Sequence, residues 1–136
     1  METHRYLLDT NILSHLIKNP KGPVKERLEA IQPATACTSI VVSAEIHFGL
    51  NKGASDRLKR QALRVLAMMD ILPLISPVDQ HYGEIRADLN RKGQPIGWND
   101  LWIAAHARAL HLTLVTGNVG EFSRVKDLRV ENWLPE

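Results

Sequence analysis

Several features that define large protein classes are missing from this chain of 136 residues. Its single cysteine, Cys37, excludes an internal disulfide and suits a reducing compartment, so we expect a cytoplasmic protein. No apolar run approaches the ~20 residues of a membrane span. The first five residues lack the basic stretch that opens a signal peptide. We therefore expect neither a membrane segment nor a secretory signal.

The first apolar run is predicted to be a buried strand over residues 6–8. The residues that follow it lack the motifs that two enzyme classes carry at this position. Dinucleotide-binding enzymes need a G-x-G-x-x-G motif there, whereas residues 9–19 contain no glycine. Phosphatases with an aspartyl nucleophile carry a second Asp two residues after the first, and Asn11 stands at that position. None of the six histidines has the H-x₃-H spacing of a histidine metal site.

The composition predicts one globular domain over residues 1–136, with 44% hydrophobic and 24% charged residues. The formal net charge is only +2, but basic residues cluster. From Lys18 to Arg64 there are nine basic residues against four acidic ones. This basic half favours a polyanionic partner, although an ordinary solvated helix face explains it too.

Apolar runs alternate with amphipathic segments along the chain, which predicts an α/β fold with a central parallel sheet of four to five strands. Helices are expected on both sides of this sheet. The predicted strands are 6–8, 38–42, 70–75, 112–116 and a short one at 128–130. Pro73 favours an edge position for the third strand, because proline cannot donate to the ladder. Ser43 is expected to cap the helix after the second strand.

Three carboxylates lie near predicted strand ends: Asp9 and Glu45 follow strands, and Asp100 opens the helix before the fourth strand. The carboxyl ends of parallel strands meet at one edge of the sheet, so the three are expected to converge there. Helix capping is an alternative explanation for Asp9. It does not explain Glu45, because a capping box would need Glu or Gln at the next position, which is Ile46.

Carboxylates that converge repel one another unless a cation neutralises them. Oxygen ligands suit Mg²⁺ or Mn²⁺. Such a cluster beside a basic surface is typical of enzymes that hydrolyse phosphodiesters. Three unrelated helix caps remain the alternative.

These residues stand in segments that resemble the PIN-domain ribonucleases, and within them the VapC-type toxins of bacterial VapBC toxin–antitoxin pairs. The matching segments are residues 7–11, 39–50, 96–107 and 114–122. Their order, spacing and total length agree with the family over essentially the whole chain. The resemblance implies a PIN-like fold.

The resemblance also implies that Asp9, Glu45 and Asp100 bind the metal and carry the catalysis. The family's fourth acidic position is less regular here, because Asn118 stands where many members have Asp. We expect Glu121 to be the fourth carboxylate and Asn118 to be a neutral ligand or positioning group. This departure puts a second metal ion in doubt, since affinity for hard cations follows ligand charge and number.

Other polar residues near the acids are candidates for supporting roles. Short hydrogen-bonding side chains that could orient carboxylates are Thr10, Asn11, Ser39 and Thr116, with turn and cap chemistry as the alternative. Arg86 is a candidate phosphate contact, or else a solvated residue. Trp98 is a candidate for stacking on an unpaired RNA base, or else for packing.

The family resemblance implies a toxin that acts as a Mg²⁺-dependent endoribonuclease, with Mn²⁺ as a possible substitute. Water would attack phosphorus in line and leave a 5′-phosphate and a 3′-hydroxyl. The expected substrate is tRNA, cut in the anticodon loop, and the expected partner is a VapB-like antitoxin. A homodimer or a larger toxin–antitoxin assembly is implied as well. The alternative is a catalytically impaired PIN-like module that only binds RNA or a partner. The reason for this alternative is Asn118, which replaces a carboxylate that many family members have.

Overall fold

The computed structural model describes residues 4–135. Residues 1–3 and 136 belong to the predicted domain, and residues 1–3 also to the segment searched for a signal peptide; they lie outside the described part. The strands are β1 (Tyr6–Leu8), β2 (Ala36–Ser39), β3 (Asp70–Leu72), β4 (Thr113–Val115) and β5 (Val130–Glu131). The helices are α1 (Thr10–Lys18), α2 (Pro23–Ala30), α3 (Ile40–Asn51), α4 (Asp56–Met68), α5 (Val78–Arg91), α6 (Trp98–Ala109) and α7 (Val119–Phe122), with a 3₁₀ turn over Pro33–Thr35.

The five strands form one parallel sheet in the order β3-β2-β1-β4-β5. This confirms the predicted α/β class and the edge position of β3. Leu7 and Leu8 point to opposite faces of the sheet, and both are fully buried. Both faces of the central strand are therefore covered, as in other parallel sheets. Within residues 4–135 no helix is long and apolar enough to cross a membrane.

The second strand was predicted two to three residues too late, and the cap of the helix after it four residues too late. β2 ends at Ser39, whose Oγ accepts the Val41 N–H at 3.1 Å, so Ser39 rather than Ser43 caps α3. The β-branched residues 40–42 therefore begin a helix, because burial of Val42 and Ile46 outweighs their strand preference. Glu45 consequently projects from within α3 and does not follow a strand directly.

One other expectation needs correction. Helix α6 begins at Trp98, so Asp100 lies in its first turn and does not open it. On α4, Leu63 and Met68 have exposed fractions of 51% and 76%. A helix that covers only part of the core leaves such residues at the edge of its apolar face.

The order of the strands reverses at β1, which pairs with β2 on one side and with β4 on the other. From β1 to β3 the strands are added on one side, and β4 and β5 are added on the opposite side. In an open parallel sheet, ligands bind outside the carboxyl ends of the strands at such a switch point. The fold therefore places residues 9–10 and 116–118 at the position where a site is expected.

Candidate active site

Asp9 lies directly after β1 and is only 4% exposed. Its Oδ1 accepts the Thr10 N–H at 2.8 Å, so the side chain caps α1. Its Oδ2 accepts a hydrogen bond of 2.8 Å from Thr116 Oγ1, just past β4. Burial raises the pKa of Asp9 above 3.8; the two hydrogen bonds oppose this, and the Glu45 and Glu121 carboxylates add to it. Asp9 is thus both a helix cap and a member of an acidic cluster, which we had treated as alternatives.

Glu45 reaches the same cluster from α3. One carboxylate oxygen accepts from the Thr10 hydroxyl, and the other accepts from Asn99 Nδ2 at 3.3 Å. Asn99 was not among the predicted site residues, although its position directly before Asp100 could have suggested it. Two neutral donors therefore fix the Glu45 carboxylate without neutralising its charge.

Asp100 and Glu121 complete the cluster from α6 and α7. The pKa of Asp100 is raised from 3.8 to about 7, first by burial and then by a hydrogen bond with the Glu121 carboxyl. The Glu121, Asp9 and Glu45 charges raise it further. Four carboxyl groups thus interact at one place, as expected for Asp9, Glu45 and Asp100 with Glu121 nearby.

Asn118 and Asn11 organise the loop after β4. The Asn118 backbone N–H donates to Thr116 Oγ1 at 3.0 Å, and its Nδ2 donates to Glu121 Oε2 at 3.0 Å. Asn11 Oδ1 accepts the Gly117 N–H at 3.0 Å. A Cβ at position 117 would lie 2.7 Å from a methyl carbon of Leu134, so a larger residue there would force the Leu134 side chain to shift.

A cavity of about 530 Å³ opens beside these carboxylates. It is bordered by three of the acids, by the polar side chains around them and by one face of α1. The lining residues are Asp9, Thr10, Asn11, Ser14, His15, Lys18, Asn19, Glu45, Asp100, Asn118 and Leu134. Glu121 does not line it, and it acts on the cavity through Asp100 and Asn118.

Ser39 has a different environment from the other predicted supporting residues. Its Oγ accepts from Val41 and lies 2.8 Å from His106 Nδ1, and both side chains are almost fully buried. Among residues 4–135 it makes no hydrogen bond to the carboxylates. It joins the start of α3 to the middle of α6, whereas Thr10 and Thr116 contact the acids themselves. Burial lowers the pKa of His106, with an opposing contribution from the Pro73 backbone, so His106 is a neutral structural partner.

The two predicted RNA contacts lie outside the cavity. Arg86 is on α5 and donates to the Tyr82 hydroxyl at 3.2 Å. Trp98 begins α6 two residues before Asp100 and is 72% exposed. Trp102, in contrast, stacks on Tyr82 with ring centroids 4.0 Å apart. Neither Arg86 nor Trp98 reaches the acids, and their roles stay predictions.

The chemistry of the donor set fits a hard divalent cation. The carboxyl groups of Asp9, Glu45 and Asp100 border the cavity, and burial together with repulsion between the carboxyl groups raises the pKa of Asp9 and of Asp100, which a cation would counter. Among residues 4–135, no three His, Cys, Asp or Glu side chains surround one point closely enough to share an ion. Mg²⁺ is ordinarily held by one or two carboxylates with several waters, so it does not need such a cage. The metal-binding roles of the four acids remain predictions.

Comparison with known proteins identifies the family. The PIN domain family matches residues 6–128. The chain is 37% identical over 130 residues to ribonuclease VapC2 of Rickettsia felis, covering 94% of this chain and 97% of that protein. It is also 37% identical over 130 residues to the tRNA(fMet)-specific endonuclease VapC of Shigella flexneri, covering 95% of this chain and 98% of that one.

A solved structure extends the likeness to three dimensions. The structure of VapBC2 from Rickettsia felis bound to a DNA fragment from their promoter matches with a TM-score of 0.89 at 35% identity, covering 95% of this chain and 98% of that one. PIN-domain ribonucleases generally depend on a divalent metal, in agreement with the donor set described above. The chain therefore belongs to the PIN-domain family and, within it, to the VapC-type ribonucleases of toxin–antitoxin pairs.

Proposed function

We propose that this protein is the toxin of a type II toxin–antitoxin pair, a single domain over residues 1–136 that hydrolyses RNA phosphodiester bonds in the cytoplasm. Mg²⁺ is the proposed cofactor, with Mn²⁺ as a substitute. The observation that carries the proposal is the meeting of four carboxyl groups beside an open cavity at the switch point of the sheet.

When bound, the cation polarises the scissile phosphate and makes water nucleophilic at neutral pH. The residues of the chain prepare the place where it binds. Thr116 and the Thr10 N–H orient the Asp9 carboxylate, while the Thr10 hydroxyl and Asn99 orient Glu45. Asp100 and Glu121 share a hydrogen bond, and Asp100 holds a proton below about pH 7 in the absence of a cation. Carboxylates oriented in this way would hold a cation where phosphate charge develops, with little reorganisation during the reaction.

The proposed substrate is tRNA cut in its anticodon loop, where bases are unpaired and accessible. The relative from Shigella flexneri is named as a tRNA(fMet)-specific endonuclease, which supports a tRNA substrate for this chain. Hydrolysis leaves a 5′-phosphate and a 3′-hydroxyl. Cutting tRNA would inhibit translation, which is the expected toxic effect.

The proposed partner is a VapB-like antitoxin. An apolar groove of about 350 Å³ lies between α1, α2 and α4 and includes the exposed Met68. Its apolar walls are formed by Leu16, Ile17, Leu28, Val65, Met68 and Met69. An exposed apolar patch of this kind marks an interaction surface. A VapBC complex is among the similar structures, which supports an antitoxin as the partner. A homodimer of the toxin within the toxin–antitoxin assembly is proposed as well.

The catalytic proposal is tested by measuring cleavage of a tRNA substrate with Mg²⁺ by the protein and by Asp9→Asn and Asp100→Asn. Each substitution removes one carboxylate charge with little change in shape. The loss of activity should exceed the ~10–100-fold that is typical of outer partners of a metal site. Asp127→Asn is the matched control, because φ is 64° at this position and Asn tolerates that conformation. Full activity of either cluster variant contradicts the proposal.

The same experiment separates the alternative of a catalytically impaired module. RNA binding without any metal-dependent cleavage by the unaltered protein would select that alternative. The relatives that are named ribonucleases do not favour it.

A further inference from the structure

The cavity extends beyond the acids along one face of α1. Asn11, Ser14 and Lys18 all line it, and their spacing of three and four residues places them on one side of the helix. At 1.5 Å per residue, Lys18 lies about 12 Å along the helix from Thr10, which contacts Glu45. The cavity therefore has an acidic end and a second end at the last turn of α1.

Charge distinguishes this second end. Among residues 4–135, Lys18 is the only lysine or arginine that lines the cavity. The ion pairs of this part of the chain are formed by other residues, and none involves Lys18. Its ammonium thus has no carboxylate partner among the described residues and is available to a ligand.

The neighbouring side chains form a fixed wall beside Lys18. Asn19 Nδ2 donates to the His15 backbone carbonyl at 3.1 Å and thereby closes the end of α1. A Cβ at position 22 would lie 3.3 Å from His15 Nε2, so the imidazole is packed against Gly22. The wall is therefore built by the fold, and Ser14 and Lys18 supply its hydrogen-bonding and charged groups.

We propose that Lys18, together with Ser14, forms a phosphate-binding subsite for the backbone of the RNA strand beside the scissile bond. This inference rests on the proposed ribonuclease function. A polyanion that enters a cavity with several carboxylates needs positive charge on both sides of the reacting phosphate. A cation would supply it at the acidic end, and Lys18 supplies it at the other end as a point charge suited to phosphate.

A second explanation of Lys18 is purely structural. A lysine in the last turn of a helix interacts favourably with the helix dipole. Such a role would affect thermal stability and not the binding of RNA, so the two explanations make different predictions.

The test compares Lys18→Ala and Lys18→Arg in the full chain, with Lys21→Ala as the matched control. Lys21 is exposed just past α1 and does not line the cavity. Cleavage of a single-stranded RNA oligonucleotide is measured with Mg²⁺ from ~50 to ~200 mM salt. Lys18→Ala should raise KM about three- to tenfold with kcat nearly unchanged. It should also reduce the slope of log affinity against log salt by about 1, whereas Lys18→Arg and Lys21→Ala should not.

Binding of the same RNA is measured separately in the Asp100→Asn background, with and without Lys18→Ala. Unchanged KM, Kd and salt slope for Lys18→Ala, in a protein that cleaves RNA normally, overturn the subsite and leave the ribonuclease function intact. Absence of both cleavage and RNA binding by the unaltered protein overturns both proposals. A Lys18→Ala variant that loses only affinity for a partner protein assigns this end of the cavity to that partner and also overturns the subsite.

Discussion

Helix α1 separates two cavities of opposite character. One face contributes Ser14 and Lys18 to the cavity that holds the acids, whereas the other contributes Leu16 and Ile17 to the apolar groove beside α4. The first holds carboxylates whose charges repel one another, and the second holds apolar surface exposed to water. The first therefore suits a cation and a polyanion, and the second suits a protein surface. A single short helix thus brings the proposed chemistry and the proposed regulation next to each other.

The largest expected effect is a loss of RNA cleavage at the acidic cavity, with the apolar groove unaffected. Asp9→Asn should lose more than about 100-fold of the RNA-cleaving activity, because a buried carboxylate at the centre of the cluster is neutralised. The affinity for the VapB-like antitoxin should change little, because the antitoxin is proposed to bind at the apolar groove, which Asp9 does not line. Cleavage assays and titration of the antitoxin, on the same preparations, measure the two effects. Equal losses in both assays would show that the two cavities are not independent.

The next largest expected effect is a loss of antitoxin binding at the apolar groove. Met68→Glu places a charge on the apolar surface of the groove, and we expect it to weaken antitoxin binding about tenfold or more, because binding would bury the charge without a partner. Cleavage by the free protein should be unchanged. The control is Met68→Leu, which keeps the apolar surface. Antitoxin binding that is unaffected by the glutamate would move the partner to another face.

A third, intermediate effect concerns the buried contact between α3 and α6. His106→Leu should lower the free energy of unfolding by about 1–3 kcal/mol, because the Ser39 hydroxyl loses its buried partner. Denaturant titration measures this loss. His106→Asn keeps an acceptor near Nδ1 and should recover part of it, whereas His47→Leu, at an exposed position of α3, should have little effect. A His106→Leu variant as stable as the unaltered protein would contradict the structural role of the pair.

The smallest effect is a pH dependence of metal binding. Asp100 has a pKa of about 7 in the folded protein against 3.8 for the free side chain. Between these values the folded protein keeps a proton that the unfolded chain releases, so this group stabilises the cation-free protein less as the pH rises through that window. A cation must displace the proton, and its apparent affinity should therefore rise from about pH 5 to about pH 7 and level off above. Calorimetric titration with Mn²⁺ measures it, and Asp100→Asn should flatten the profile. An affinity that falls with rising pH would contradict this account.

The sequence predicted the acids better than the route by which they meet. Asp9 could be recognised because an apolar run ends in a carboxylate at a strand end, and this needs only local information. Glu45 joins the carboxyl cluster by another route than predicted, since the β-branched residues before it have strand propensity but form a helix under tertiary packing. The parallel sheet and its edge strand followed from alternation and from Pro73, which are local signals as well.

Long-range contacts account for what the sequence did not reveal. The partner of Ser39 is His106, 67 positions away, so no local pattern distinguishes this contact from an ordinary cap. Asn99 contacts Glu45 across 54 positions. Lys18 lines the cavity only because α1 leaves the sheet at the switch point, and this orientation is a property of the fold. Arg86, chosen because its side chain matches phosphate geometry, lies on a helix that does not border the cavity.

Anomalous diffraction from crystals soaked in Mn²⁺ tests most directly whether the carboxyl cluster beside the cavity binds a divalent cation. We expect an anomalous peak in the cavity beside Asp9 and Asp100, at about 2 Å from at least one carboxylate oxygen, and its loss in crystals of Asp9→Asn. A cavity without a peak at saturating Mn²⁺, or a peak held by residues other than these acids, would contradict it.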